Sequence, residues 1–257
     1  MDTRRLFIAY YTVARKDVTR MIRLWKQTFL PSVVTTVLYF IVFGTFIGSQ
    51  LEPIHGVSYM LFIVPGLVMM QIITNAYSNT STALFMAKFQ RNLEEMMVSP
   101  MPDWIIVAGY VTAGIVRGCI IGILVLITAL FFTHLTVYSA AIIVAAFVLT
   151  CVLFSLGGFL NAMFADTFDS ISIVPTFVLT PLTFLGGVFY SVELFPEFWQ
   201  NVSYLNPILY MVNAFRYGFL GESDVNVTLA FGIIITLIIV FLTLILWLFK
   251  KGTGVKT

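Results

Sequence analysis

Six stretches of this chain, at roughly 30–49, 58–80, 104–132, 138–164, 172–191 and 227–249, stay apolar over lengths that can cross a bilayer. A bilayer core takes about 20 residues of helix. Inside hydrocarbon each peptide N–H and C=O must be satisfied within the segment itself, so such stretches have to be α-helices. The reading is an all-α membrane protein with six transmembrane helices in a single domain, 1–257. Composition excludes the soluble alternative. Apolar residues make up 60 % of the chain and charged residues 10 %, with a mean hydropathy of +0.99, against about 45–50 % and about 25 % in a soluble domain. No basic or acidic block is present, so no nucleic-acid partner is expected. The two cysteines, Cys119 and Cys151, both fall inside apolar stretches and read as small packing residues.

Lysine and arginine orient the spans because they accumulate on the cytoplasmic side. Arg4, Arg5, Arg15, Lys16, Arg20, Arg23 and Lys26 precede the first span. Lys88 and Arg91 follow the second, and Lys250, Lys251 and Lys256 follow the last. The connections after the first and third spans carry none, and the long one after the fifth carries only Arg216. Both termini and the 81–103 connection are therefore expected in the cytoplasm. The long basic lead is unlike a cleavable signal peptide. Residues 192–226 are too apolar for a solvent loop. A seventh span at 204–220 would put the C-terminal lysines outside and place Pro207, Asn213 and Arg216 in lipid. Two short re-entrant helices on the outer side are expected instead, with Phe195, Trp199, Tyr204, Tyr210 and Tyr217 at headgroup depth.

Ahead of the first span, Leu6, Tyr10, Ala14, Val18, Met21 and Trp25 recur at helical spacing, with Arg5, Lys16, Arg20 and Arg23 on the other side. Residues 1–28 are read as an elbow helix lying in the membrane plane against lipid, its cations near an anionic leaflet. A helix packed on a soluble partner is the other reading of the same pattern.

Charge is scarce within the spans. All twelve carboxylates lie outside them or at their ends, which argues against a proton- or sodium-coupled transporter. Arg117 is the one deep charge, within the Gly114-x-x-x-Gly118-x-x-x-Gly122 ridge that lets another helix come close. It is either a cation facing substrate or partner, or a structural donor to carbonyls. Gln71, Asn75, Asn79 and Thr82 form one polar stripe, and Thr176, Thr180 and Thr183 another, flanked by Pro175 and Pro181. Each stripe either lines a path or serves as interhelical glue. Enzyme readings find no support. The histidines, His55 and His134, lie far apart on outer connections, and no catalytic motif appears. Without a Gly-x-x-x-x-Gly-Lys-Ser/Thr loop, the chain itself is not expected to bind or hydrolyse ATP, nor to carry a cofactor or metal.

The cytoplasmic connection holds a short helix whose apolar face is Leu93, Met96 and Met97, with Glu94 and Glu95 beside it and Ser99-Pro100 ending it. Exposed methionines on such a helix suit a groove on a soluble partner. The run Asn92-Leu-Glu-Glu-Met-Met-Val-Ser-Pro100 resembles the coupling-helix element of permeases in the type-2 ATP-binding-cassette (ABC) exporter family. The stretch Phe184 to Arg216 is similar too, where Pro207, Ile208, Tyr210 and Arg216 fit the end of that family's signature, though Phe195 is bulkier than usual.

The resemblance runs over the whole length and is nearest to small bacterial inner-membrane permeases encoded beside a separate ATPase. It implies a homodimer paired with a cytoplasmic ABC ATPase that holds the ATP and Mg. Leu93, Glu94, Glu95, Met96 and Met97 would then form the ATPase-coupling element, and Arg216 a brace of the outer re-entrant helices. Asn75, Asn79, Thr180 and Tyr190 are the candidates to line the path. The competing expectations are an ATP-independent transporter or channel, and a membrane scaffold or assembly factor.

Overall fold

The computed structural model describes residues 2–54 and 56–252. His55 and Lys256 of the sequence reading lie outside the described residues. Among these residues the chain is helical, and its one β-bridge, Ile54 with Val57, closes the turn after the first span. Helix α1 covers Thr3–Arg23. The first span, Trp25–Gln50, is built from α2 (Trp25–Tyr39), a π-helical stretch (Phe40–Ile47) and a closing 3₁₀ turn (Gly48–Gln50). Then come α3 (Tyr59–Phe89), the short α4 (Asn92–Val98), α5 (Asp103–Ala129) and α6 (Ala140–Phe164). The fifth span, Phe168–Leu185, joins α7 (Phe168–Ile173) and α8 (Thr180–Leu185) through a π-helical stretch at Val174–Leu179. Two short helices, α9 (Glu197–Tyr204) and α10 (Pro207–Leu220), precede α11 (Val227–Lys251). Six helical segments are thus long and apolar enough to cross a membrane.

The segment 204–220 is not a seventh span. Helix α10 has 14 residues, about 21 Å at 1.5 Å per residue, and it packs on α6, α11 and α3 inside the bundle. Local chemistry sets its ends. The Asn206 side chain accepts from the Ile208 N–H at 3.0 Å, Pro207 opens the first turn, and Gly221 closes the helix at φ +75°. The fifth span begins on a reciprocal cap between Thr167 and Ser170. It then widens where Pro181 supplies no N–H and its ring crowds the carbonyl four residues earlier, and the Thr180 N–H reaches back to Pro175 O.

Helix α3 is the centre of the bundle: 78 % of its most apolar window is buried, against 17 % for both the fifth span and α11. Lipid is as apolar as leucine, so helices are held together here by close packing and hydrogen bonds. The glycine ridge of α5 serves that packing. A Cβ on Gly118 would meet Cys151 Sγ at 2.8 Å, and one on Gly122 would meet Phe147 at 2.5 Å and Ile72 at 2.9 Å. On α6, Gly158 lies against the Tyr77 carbonyl in the same way.

Two boundaries differ from the sequence reading. The helix that carries the second span runs on past residue 80: α3 continues unbroken for 31 residues, about 46 Å, where a bilayer core needs about 30 Å. Its last turns lie in the 81–103 segment, which becomes a rigid extension ending at α4. The other concerns α1, whose buried face is Val13, Ala14, Asp17 and Met21, packed on α5 rather than turned to lipid alone. Tyr10 and Thr112 hydroxyls lie 2.9 Å apart across that contact. Trp25 falls outside the face, 53 % exposed, because the helix breaks at Leu24 and restarts.

Candidate functional site

Four places hold polar groups where the bundle can least afford them loose. The first joins the initial three spans. Arg117 Nη2 donates to Asn75 Oδ1 at 3.2 Å, and Asn75 Nδ2 donates to Ser32 Oγ at 3.1 Å and to the Gln71 carbonyl at 2.9 Å. A guanidinium within a bilayer needs acceptors from protein, and α3 supplies one. Two of the candidate path residues, Asn75 and Asn79, lie on this part of α3. Asn75 and Asn79 are 6 % and 4 % exposed; Asn75 joins the first and third spans, whereas Asn79 Nδ2 is buried without a hydrogen-bond partner.

The second place is an open face made by the first span, α3 and the fifth span. Thr180 is exposed and donates to the Pro175 carbonyl at 3.0 Å. It shares a shallow 170 Å³ groove with Met70, Thr74, Thr176, Thr183 and Phe184. Above this groove an aromatic cluster closes the gap between spans: Phe189 lies 5.7 Å from Tyr39, 4.8 Å from Phe43 and 5.5 Å from Phe184. Beyond it Tyr190, half-buried, donates to the Phe184 carbonyl. Of the four candidate path residues, Thr180 and Tyr190 share this face at two levels.

The third place is the cytoplasmic-motif helix α4. A turn with Arg91 in the left-handed region (φ 59°) reverses the chain out of α3. Leu93, 2 % exposed, is sunk into a cluster with residues of α3 and α5, and Met96 and Met97 pack against the same cluster. Of the apolar face read from the sequence, Leu93 is buried in its own bundle, while Met96 and Met97 stay half-exposed at its edge. Facing out are Glu95 and Val98, the latter 89 % exposed, with Glu94 half-exposed. Beneath α4, buried Lys88 Nζ donates to the carbonyls of Met163 and Ala165, both at 3.1 Å, and meets Asp166 Oδ1 at 3.4 Å. Those are the last carbonyls of α6, where a cation is favoured.

The fourth place is at the opposite end. Arg216, 1 % exposed, donates from Nη2 to Gly187 O at 2.5 Å and lies 3.8 Å over the Phe62 ring. Its Nε and Nη1 are buried without a partner. Asn206 Nδ2 donates to Leu182 O at 2.5 Å, and Asp224 accepts from Ser191 Oγ at 3.0 Å and the Val192 N–H at 3.2 Å. These bonds tie α10 and the loop after it to the end of the fifth span. Gly66 of α3 lets the Val188 backbone approach so closely that any side chain would collide with it.

The profile of the ABC-2 type transporter family matches residues 8–220, which take in every residue named at the four places except Asp224. The chain belongs to that family. It is 52 % identical over 251 residues, 98 % of each chain, to the inner membrane transport permease YadH of Escherichia coli K12. It is also 27 % identical over 223 residues, 84 % of this chain and 85 % of the relative, to nodulation protein J of Rhizobium leguminosarum bv. viciae.

Two parts of this ABC-2 permease escaped the sequence reading. In the sequence Lys88 reads as a topological charge, yet it is a buried clamp; the signal is its place at a helix end after a long apolar run. Asp17 reads in the sequence as one more charge in a basic helix. It is 3 % exposed, pairs with Arg20 at 3.4 Å and has an unpartnered Oδ2. Burial pushes its carboxyl above the usual carboxylate range, opposed by Arg20 and Lys16.

Proposed function

We propose that the permease is the membrane subunit of an ATP-driven exporter, a homodimer in the bacterial inner membrane with both termini in the cytoplasm. A separate ATPase subunit holds ATP and Mg and docks on α4, and cargo crosses between the two permease copies. The substrate face is the one containing Thr180 and Tyr190. What supports that choice is a contrast between two equally bare segments. Helix α11 has a mean hydropathy of 3.1 and suits lipid, whereas the fifth span has 1.5 and turns Thr176 and Thr180 outward. The E. coli relative's designation as an inner membrane transport permease supports the location.

The observation that carries the coupling role is the mounting of α4. Leu93 and Lys88 fix it and its surroundings to α3, α5 and α6, while Glu95 and Val98 face away from the bundle. A helix held this way passes displacement to the spans instead of absorbing it. ATP binding then shifts the permease because the closed ATPase dimer binds one conformer better, and the coupling is reciprocal. The test is Glu94→Lys combined with Glu95→Lys on tagged permease purified from its own membranes. Loss of the co-eluting ATPase with unchanged membrane insertion is expected. Retained co-elution with full substrate-stimulated ATP hydrolysis overturns the docking role.

A further inference from the structure

The end of the bundle opposite the termini has a lopsided charge. The connections there carry Glu52, Glu193, Glu197, Glu222 and Asp224 against a single arginine, Arg216. That arginine is buried on a backbone carbonyl and an aromatic ring, so among the described residues no lysine or arginine faces outward at this end. The same end holds a 560 Å³ cavity between the exits of the first and fifth spans. Rings from Tyr59, Phe189 and Tyr190 form its walls, Glu52 and Glu193 stand exposed among them, and Leu51 lies at its edge. It continues the face of Thr180 and Tyr190, above the cluster formed by Tyr39, Phe43, Phe184 and Phe189.

We infer that this cavity is a binding vestibule for organic cations, so that the cargo is a lipophilic or amphiphilic cation rather than an anionic lipid or glycan. The inference rests on the exporter reading for the word cargo, and on the cavity alone for the binding. Two physical arguments support it. Ring faces carry negative quadrupole charge and attract a cation within about 6 Å, increasingly so where water is excluded. Carboxylates in a walled cleft focus the field and raise the local concentration of the opposite charge. An anion of the same size meets the carboxylates of Glu52 and Glu193, and that repulsion is itself a source of specificity. The apolar rings and Leu51 match the body of the ligand, and Glu52 and Glu193 match its charge.

The test uses two probes of the same shape and opposite charge, tetraphenylphosphonium and tetraphenylborate. Binding is measured by equilibrium dialysis on purified permease in nanodiscs, with protein-free nanodiscs as the partition baseline and no nucleotide or ATPase present. Saturable binding of the phosphonium is expected, with none for the borate. Glu52→Gln with Glu193→Gln should weaken phosphonium binding by about ten-fold or more. Glu197→Gln with Glu222→Gln, outside the cavity, should leave it within about two-fold. Equal saturable binding of both probes, undiminished affinity in the cavity variant, or an equal loss in the outside variant would each overturn the vestibule. Such a failure leaves the exporter reading standing, and loss of the exporter reading through the α4 test leaves the binding result intact.

Discussion

Both ends of the molecule bury a cation against backbone carbonyls, and they do so with different completeness. At the termini end, Lys88 gives its ammonium to two carbonyls and a carboxylate, close to all the donors it has. At the far end, Arg216 brings five donors to one carbonyl and a ring, and two of its nitrogens have no partner. A satisfied clamp resists change, because every alternative leaves something unpaired. An under-satisfied one sits higher in free energy and gains from rearrangement. The comparison makes the α4 end the rigid part of the permease and the α10 end the part with a reason to move.

The sharpest way to break this contrast is to remove each cation. Lys88→Met leaves the Met163 and Ala165 carbonyls buried and unpaired, and should cost about 3–5 kcal/mol in thermal or denaturant unfolding in detergent. Gly66→Ala at the far end should cost about 1–3 kcal/mol, since the new methyl meets the backbone of Val188 rather than a movable side chain. Arg216→Met leaves one carbonyl, that of Gly187, unpaired but also removes two orphaned nitrogens, so it should cost about 1–2 kcal/mol by the same unfolding measurement. A loss equal to that of Lys88→Met would erase the distinction between the ends.

The smallest effect returns to the termini end. Asp17 holds its proton more tightly folded than unfolded, so the stability linked to its neutral form is present at low pH and is lost as pH rises through its elevated range. Asp17→Asn should therefore stabilise the protein slightly at pH 7, by under about 1 kcal/mol, with the gain shrinking to nothing near about pH 4. A gain that persists unchanged at acid pH would mean the effect is packing and not charge.

The spans were legible because apolarity over twenty residues is a property of the segment itself, and the basic residues counted with it. The Asn92–Pro100 motif was legible because it is contiguous. What stayed hidden depends on neighbours. Hydropathy marks the face of Leu93, Met96 and Met97 but not how it divides: the chain's own α3 and α5 bury Leu93 and leave the two methionines half-exposed. Asn75 and Thr180 both read as polar positions in apolar spans. Only the arrangement puts Arg117 beside the first and leaves the second open. The continuation of helix α3 past residue 80 is hidden because Lys88 and the polar residues before it look like a loop, until a buried acceptor set turns the lysine inward.

The surplus length of α3 has a mechanical consequence. An unbroken helix of 31 residues, gripped at its middle by α5 and α6, acts like an oar in a rowlock. A tilt of about 5° about the midpoint swings each tip by roughly 2 Å, in opposite directions at the two faces of the membrane. One tip ends beside α4 and the other beside Tyr59, at the rim of the aromatic cavity. Because Lys88 ties one tip to the end of α6, a push there is carried along the helix toward the other.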